Sequence, residues 1–156
     1  MKQLTKLSDC VKCGDCCYYH RKYLGLSTIF DKDRLAKKFI ADNGEFLEDK
    51  GKFFQARCRR KKSRNYFFCD FKDGNLCSLK EKRPFGCKLY PFNIMKDRKG
   101  KISLGIDRDC LGVKNRTEKQ IFDYVKYLKP MLRRIIKTRK HCVEEFQPEL
   151  EIIDYL

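Results

Sequence analysis

Three observations predict an α+β fold for this chain. Two pairs of aromatic or β-branched stretches are each interrupted by a charged Gly-containing turn, the pattern of β-hairpins. A capping signature at Thr117 leads into apolar residues at helical spacing. Ten cysteines, four of them within Cys10 to Cys17, are too crowded at one end to be ordinary core filling. The expected architecture is a small metal-centred domain with short hairpins and a C-terminal helix or helix pair.

Along the chain, Cys10, Cys13, Cys16 and Cys17 are expected on a tight loop, with Gly14 supplying the backbone freedom for a reversal. Asp31 to Ala41 reads as an amphipathic helix with Leu35, Phe39 and Ile40 on one face and Asn43-Gly44 at its end. Lys52 to Arg57 and Tyr66 to Phe71 read as extended. The turn Lys72-Asp73-Gly74-Asn75 then leads into Leu76 to Leu79, giving a hairpin that carries Cys69 and Cys77. Arg83-Pro84 starts a helical turn, which Pro91 ends, and Cys87 lies between the two prolines.

Phe92 to Met95 and Lys101 to Ile106 form the second hairpin candidate, followed by Cys110. From Thr117, paired with Gln120 in a capping box, residues Ile121, Val125, Leu128, Leu132, Ile135 and Ile136 supply the apolar face of a helical segment spanning about 116–147. Pro130 is expected to split or kink it near Lys129, and Pro148 to end the second piece before a short tail. No repeat or flexible linker interrupts the 156 residues, so residues 1–156 read as one domain.

Composition narrows the function classes. Charged residues make up 37% of the chain and the mean hydropathy is −0.66, as for a solvated globule with an ordered core. No apolar run is long enough to span a bilayer and the first residues do not resemble a signal peptide, which places the expected location in the cytoplasm. Thiols stay reduced there, so the cysteines point to metal ligation over disulfides. The formal charge is +16 with neutral cysteines. Two four-thiolate zinc sites would each add about −2, leaving about +12, and an iron–sulfur cluster acts similarly. Such a charge suits acidic partners: an acidic protein, nucleic acid or anionic lipid.

The spacing Cys10-x2-Cys13-x2-Cys16 lets three sulfurs converge, whereas Cys17 must point elsewhere and so suggests a second metal or a buried thiol. A bacterial ferredoxin pattern fails because residue 20 is His20. A zinc ribbon needs a second C-x2-C, which the separated Cys69, Cys77, Cys87 and Cys110 do not supply. Zinc and iron–sulfur centres share thiolate ligands. A close trio with a distant fourth cysteine resembles cluster layouts more than zinc knuckles, so a 4Fe-4S or related iron–sulfur cluster is favoured, with zinc as the alternative.

Cys-x2-Cys-Gly-x-Cys-Cys at 10–17, Cys69 with Phe71, the turn before Cys77, Arg83-Pro84-Phe85-Gly86-Cys87-Lys88-Leu89-Tyr90-Pro91 and Cys110-Leu111-Gly112 together resemble the CxxCxxCC cysteine-cluster family, whose members are described as chelating zinc or iron. Leu111 stands where that pattern has proline. The resemblance covers about residues 8–112 and implies that Cys10, Cys13, Cys16, Cys17, Cys69, Cys77, Cys87 and Cys110 hold the metal. Flagellin lysine N-methylases carry a similar cysteine block, which implies an alternative: an S-adenosylmethionine-dependent protein lysine N-methylase.

The remaining candidates are weaker signals. Cys58 lies among Arg57, Arg59, Arg60, Lys61 and Lys62 and reads as a free cysteine, with a cation-activated thiol as the sharper alternative. Cys142 reads as a core thiol of the terminal helix, while His20 and His141 read as solvated histidines that could instead complete a site. The basic run from Arg57 to Arg64, beside Tyr66, Phe67 and Phe68, and the cations Arg133, Arg134, Lys137, Arg139 and Lys140 could grip phosphate, giving the second alternative of a basic nucleic-acid-binding zinc protein.

Overall fold

The computed structural model describes residues 4, 7–21, 29–32 and 35–156, with only the backbone described for Leu7, Ser8, Asp15, His20 and His141. In chain order the elements are α1 (Leu7–Cys13), β1 (Tyr18–His20), β2 (Ile29–Asp31), α2 (Lys37–Asn43), β3 (Leu47–Asp49), β4 (Phe53–Ala56), β5 (Arg60–Lys61), β6 (Tyr66–Phe68), β7 (Lys72–Asp73) and β8 (Leu76–Cys77). They continue with α3 (Phe85–Leu89), β9 (Phe92–Lys96), β10 (Ile102–Ile106), α4 (Leu111–Lys114), α5 (Glu118–Thr138) and β11 (Glu151–Tyr155). The fold is α+β with small antiparallel sheets and one long helix. Contacts sort the residues into two compact units: residues 1–13 with 89–156, and residues 14–88.

The first unit is built on an antiparallel sheet of order β11-β10-β9, in which Ile102 pairs with Lys96 and Ile106 with Phe92 across the expected hairpin. Helix α5 packs on this sheet: the Phe92 and Tyr124 rings stack at 5.7 Å, and Lys129 Nζ meets Asp154 of β11 at 2.7 Å. Ile121, Val125, Leu128 and Leu132 of α5 are buried with Phe92, Ile94, Met95, Leu104 and Ile106 of the sheet. The α5 start follows from chemistry local to Thr117, whose side chain accepts from the Gln120 amide while the Gln120 side chain accepts from the Thr117 amide.

Two expectations for this region are corrected. Pro130 does not split the segment, because α5 runs through it as one 21-residue helix whose apolar face is already fixed by the sheet beneath. The helix ends at Thr138, not near Pro148, and Lys140–Cys142 form a short 3-10 turn that carries Cys142. Beyond Pro148 the expected tail is strand β11, which pairs with β10 through a register shift between Leu104 and Gly105. The bulge coincides with crowding: a Cβ on Gly105 would stand 2.7 Å from Met95 Cε.

The second unit holds three small sheets, ordered β1-β6-β5, β2-β4-β3 and β7-β8. Its core gathers Phe30, Leu47, Ala56, Cys69, Phe71 and Leu79, with Cys17, Cys58 and Cys77 packed against it. Phe71 contacts Phe30 at 5.8 Å and Phe46 at 5.4 Å between ring centres. Such tilted aromatic contacts contribute about 1 kcal/mol each beyond area burial.

Here too the sequence reading is corrected. Helix α2 begins at Lys37, and Asp31 is the last residue of β2, paired with Phe53; residues 33 and 34 lie outside the described residues. Helix α2 has no fully buried residue and is only two turns long, so its weak periodicity gave poor boundaries. The hairpin expected to join residues 66–71 with 76–79 is shorter: Lys72 pairs with Cys77 and Asp73 with Leu76, while Tyr66–Phe68 pair with β1 and β5. The aromatic strand is paired on both sides, over three residues with β1 and two with β5, leaving the turn a two-rung ladder.

Candidate metal centre

The N-terminal cysteines do not share one loop. Cys10 and Cys13 lie one turn apart on α1, so their side chains project from one face. Gly14 follows with φ +67°, reversing the chain as expected, and Asp15–Cys17 form a 3-10 turn. A left-handed Gly is required here: an added Cβ would meet Lys72 Nζ at 2.8 Å and Asn75 Oδ1 at 2.9 Å.

In the first unit α1 packs on α4. Asp9 and Arg116, both largely buried, lie 3.9 Å apart, and Arg116 also donates to the Leu4 carbonyl at 3.1 Å. This packing brings Cys10 to Cys110, which precedes α4. Burial pushes the Cys110 thiol up, the backbone amides of Val113 and Gly112 pull it down, and negative charge on Asp107 and on Cys10 raises it again.

In the second unit the thiols are denser. The Cys16 and Cys17 Sγ atoms are 3.9 Å apart, so Cys17 does not point away from its neighbour as expected, and Cys58 packs against the core that holds Cys69. Cys77 joins them, since its thiol is raised first by burial and then by charge on Cys69 and Cys16. Cys16 is pushed up by its hydrogen bond with Cys17, by burial and by charge on Cys17, and Arg83 and Lys72 pull it back. Cys69, 4% exposed, is raised by its Cys58 hydrogen bond and by burial. Cys87 sits half-buried in α3 of the same unit.

Two cations beside these thiols were not legible in the sequence. Lys72 reads as a turn residue, yet it is 6% exposed, donates to the Gly14 carbonyl at 3.2 Å and lies over the Tyr18 ring at 4.9 Å. Its position across from Cys77 in a hairpin was the available signal. Arg83 donates to the Lys80 carbonyl at 2.8 Å and draws down both Cys16 and Cys77. These partly buried thiols therefore stand close to one another and to two cations.

The donor set fits a metal on those grounds. Two thiolates on one tetrahedral zinc, each about 2.3 Å from the ion, stand about 3.8 Å apart, and the Cys16 and Cys17 sulfurs are 3.9 Å apart. Among the described residues, no group of three or more Cys, His, Asp or Glu side chains is already set in a ligating arrangement. Cys16 and Cys17 pair through their sulfurs instead, and the Cys58 thiol donates to the Ala56 carbonyl at 4.0 Å.

A family model with the description "CxxCxxCC: Putative zinc- or iron-chelating domain" matches residues 9–142. The chain belongs to the CxxCxxCC family. Neither a curated protein nor a solved structure matches it. The family match takes in every cysteine of the chain, including Cys58 and Cys142, so both thiol groups fall within the CxxCxxCC domain. No described helix is long and apolar enough to cross a membrane. His20 and His141 have side chains outside the described residues.

Proposed function

We propose that this CxxCxxCC protein chelates zinc or iron through a four-thiolate centre in residues 14–88, with Cys16, Cys17, Cys69 and Cys77 as its ligands. The observation that carries this reading is the gathering of Cys17, Cys69 and Cys77 at one small core, with the Cys16 sulfur 3.9 Å from that of Cys17 and the buried Lys72 paired across from Cys77. Four thiolates around a divalent ion carry a net charge of about −2, which two cations offset. Lys72 and Arg83 would therefore hold the sulfurs in their charged form while the displaced thiol protons pass to solvent.

The bound metal would supply a rigid cross-link of the small sheets. The close Cys16 and Cys17 pair supports both sulfurs on a single metal ion, whereas a four-iron cubane takes one protein thiolate per iron. The iron–sulfur reading rests on the Cys10-x2-Cys13-x2-Cys16 spacing. Anaerobic purification followed by metal and sulfide analysis separates the two. Zinc, or iron without sulfide, supports the mononuclear centre. Brown protein with matched iron and sulfide overturns it in favour of a cluster.

A further inference from the structure

We infer that the face of the β1-β6-β5 sheet turned away from the core of residues 14–88 binds single-stranded nucleic acid, with Tyr66 stacking a base and Arg60, Lys62 and Arg64 meeting phosphates. The inference goes beyond the thiolate centre and does not depend on which metal that centre holds.

Strand register sorts the side chains of this sheet. Tyr18, Phe68 and Arg60 pair across one row, and Tyr19, Phe67 and Lys61 across the next. Directly paired residues share a face, and successive residues alternate between faces. Tyr19 packs against the core, so its row points inward. The row of Tyr18, Phe68 and Arg60 points the other way, and Tyr66, two residues before Phe68, joins it. Lys62 extends β5 on that face: its amide donates to the Tyr66 carbonyl at 2.9 Å, and its Nζ lies 3.5 Å from the centre of the Tyr18 ring. The Arg60 guanidinium lies 5.9 Å from the centre of the Phe68 ring. Rings and cations therefore alternate across one face.

Exposure and charge indicate what such a face takes. The run from Arg57 to Arg64 holds six cations and no carboxylate. Among the described residues, the carboxylate this run engages is Asp70, held by Arg59. Arg60 directs its hydrogen bonds to the carbonyls of Cys69, Asp70 and Lys72, which fix the guanidinium without cancelling its charge. Lys62 and Arg64 are exposed, and Tyr66 is 46% exposed, high for a large ring. Tyr18 and Phe68, with ring centres 5.0 Å apart, support it from the same face. Lysines on an edge strand also deter pairing with other chains, but that needs charge alone and not rings set among the cations. Single strands use both features, because their bases stack on aromatic rings while their phosphates meet cations. A duplex hides its base faces, and an acidic peptide or anionic lipid needs only the charge.

The test follows a labelled oligothymidylate of about twelve nucleotides by fluorescence anisotropy as the full, reduced chain is titrated at several salt concentrations. Tyr66→Leu should weaken binding at least about fivefold, the loss expected when one base loses its stacking partner. Lys62→Gln with Arg64→Gln should reduce the slope of log affinity against log salt by about 1.4, two phosphate contacts at about 0.7 each. Lys119→Gln with Lys126→Gln, the same charge change on exposed positions of α5, should leave the slope unchanged. In unmutated protein the oligonucleotide should shield Lys62 from acetylation, a readout that does not depend on a variant folding. No binding at low salt, wild-type affinity in Tyr66→Leu, equal slopes in the two double variants or equal acetylation of Lys62 with and without oligonucleotide overturns the inference. Binding of duplex, polyglutamate or anionic vesicles as tight as that of the single strand also overturns it, since charge alone would then account for the surface. Metal content of the same samples reports separately on the thiolate centre.

Discussion

At the scale of single residues, buried charge with no carboxylate paired to it separates the informative positions from the rest. Lys72 is the clearest case, because an amine placed at 6% exposure is costly unless anions accompany it. Lys72→Met should therefore weaken zinc binding by about tenfold to a hundredfold, the usual cost of losing a residue that supports metal ligands, as read in the same chelator competition. Unchanged affinity would remove Lys72 from the site. Glu144 carries a separate consequence in the first unit. Its backbone is tied to Ile94 and Lys96, its carboxylate accepts from Gln147, and burial pushes its carboxyl up to about 7 from 4.5. The folded state keeps this proton after the unfolded chain has released it, so its contribution to stability declines as pH rises from about 4.5 to about 7 and is level above that. Glu144→Gln should abolish that decline and be more stable by up to about 3 kcal/mol near pH 7.5, with little difference near pH 4.5. Urea denaturation of both proteins at the two pH values checks it, and parallel pH profiles would contradict it.

Elements were legible where several local signals agreed. Helix α5 had a capping box, a sustained apolar face and enough length, and all three survive in the fold. Thr117→Ala should cost about 1 kcal/mol in denaturant unfolding, and a loss below about 0.3 kcal/mol would mean the cap is not sustaining the helix. The β9 and β10 hairpin was equally plain, with Asp97 accepting from the amides of Lys99 and Lys101 in its turn. Misreadings share a physical cause, which is that tertiary partners outweighed local preference. Pro130 is carried inside α5 because Leu128 and Leu132 are fully buried on either side of it. Glu151–Tyr155 becomes a strand because β10 offers an open edge and Arg108 binds Glu118 and Glu151 together, at 2.7 and 2.9 Å. Cys10 and Cys13 are helical where a loop was expected, since Asp9 and Arg116 anchor α1 to α4.

Across the whole molecule, the order of cysteines was readable and led to the family, but their division between two compact units was not. Sequence spacing ties Cys16 to Cys10 and Cys13, whereas chain reversal at Gly14 assigns Cys16 and Cys17 to the unit that holds Cys58, Cys69 and Cys77. Nothing local shows that the basic run Arg57–Arg60 is zipped to Asp70 across the sheet. The second unit has short strands and a small core, so a bound metal should contribute to its stability. A strong chelator should accordingly lower the unfolding temperature of the metal-loaded chain, and zinc should restore it. The most direct test of the central claim is the metal content of anaerobically purified protein, wild type beside Cys16→Ser and Cys69→Ser. The thiolate centre predicts zinc or iron in the wild type and its loss in both variants, and a metal-free wild type or equal metal in all three proteins would contradict it.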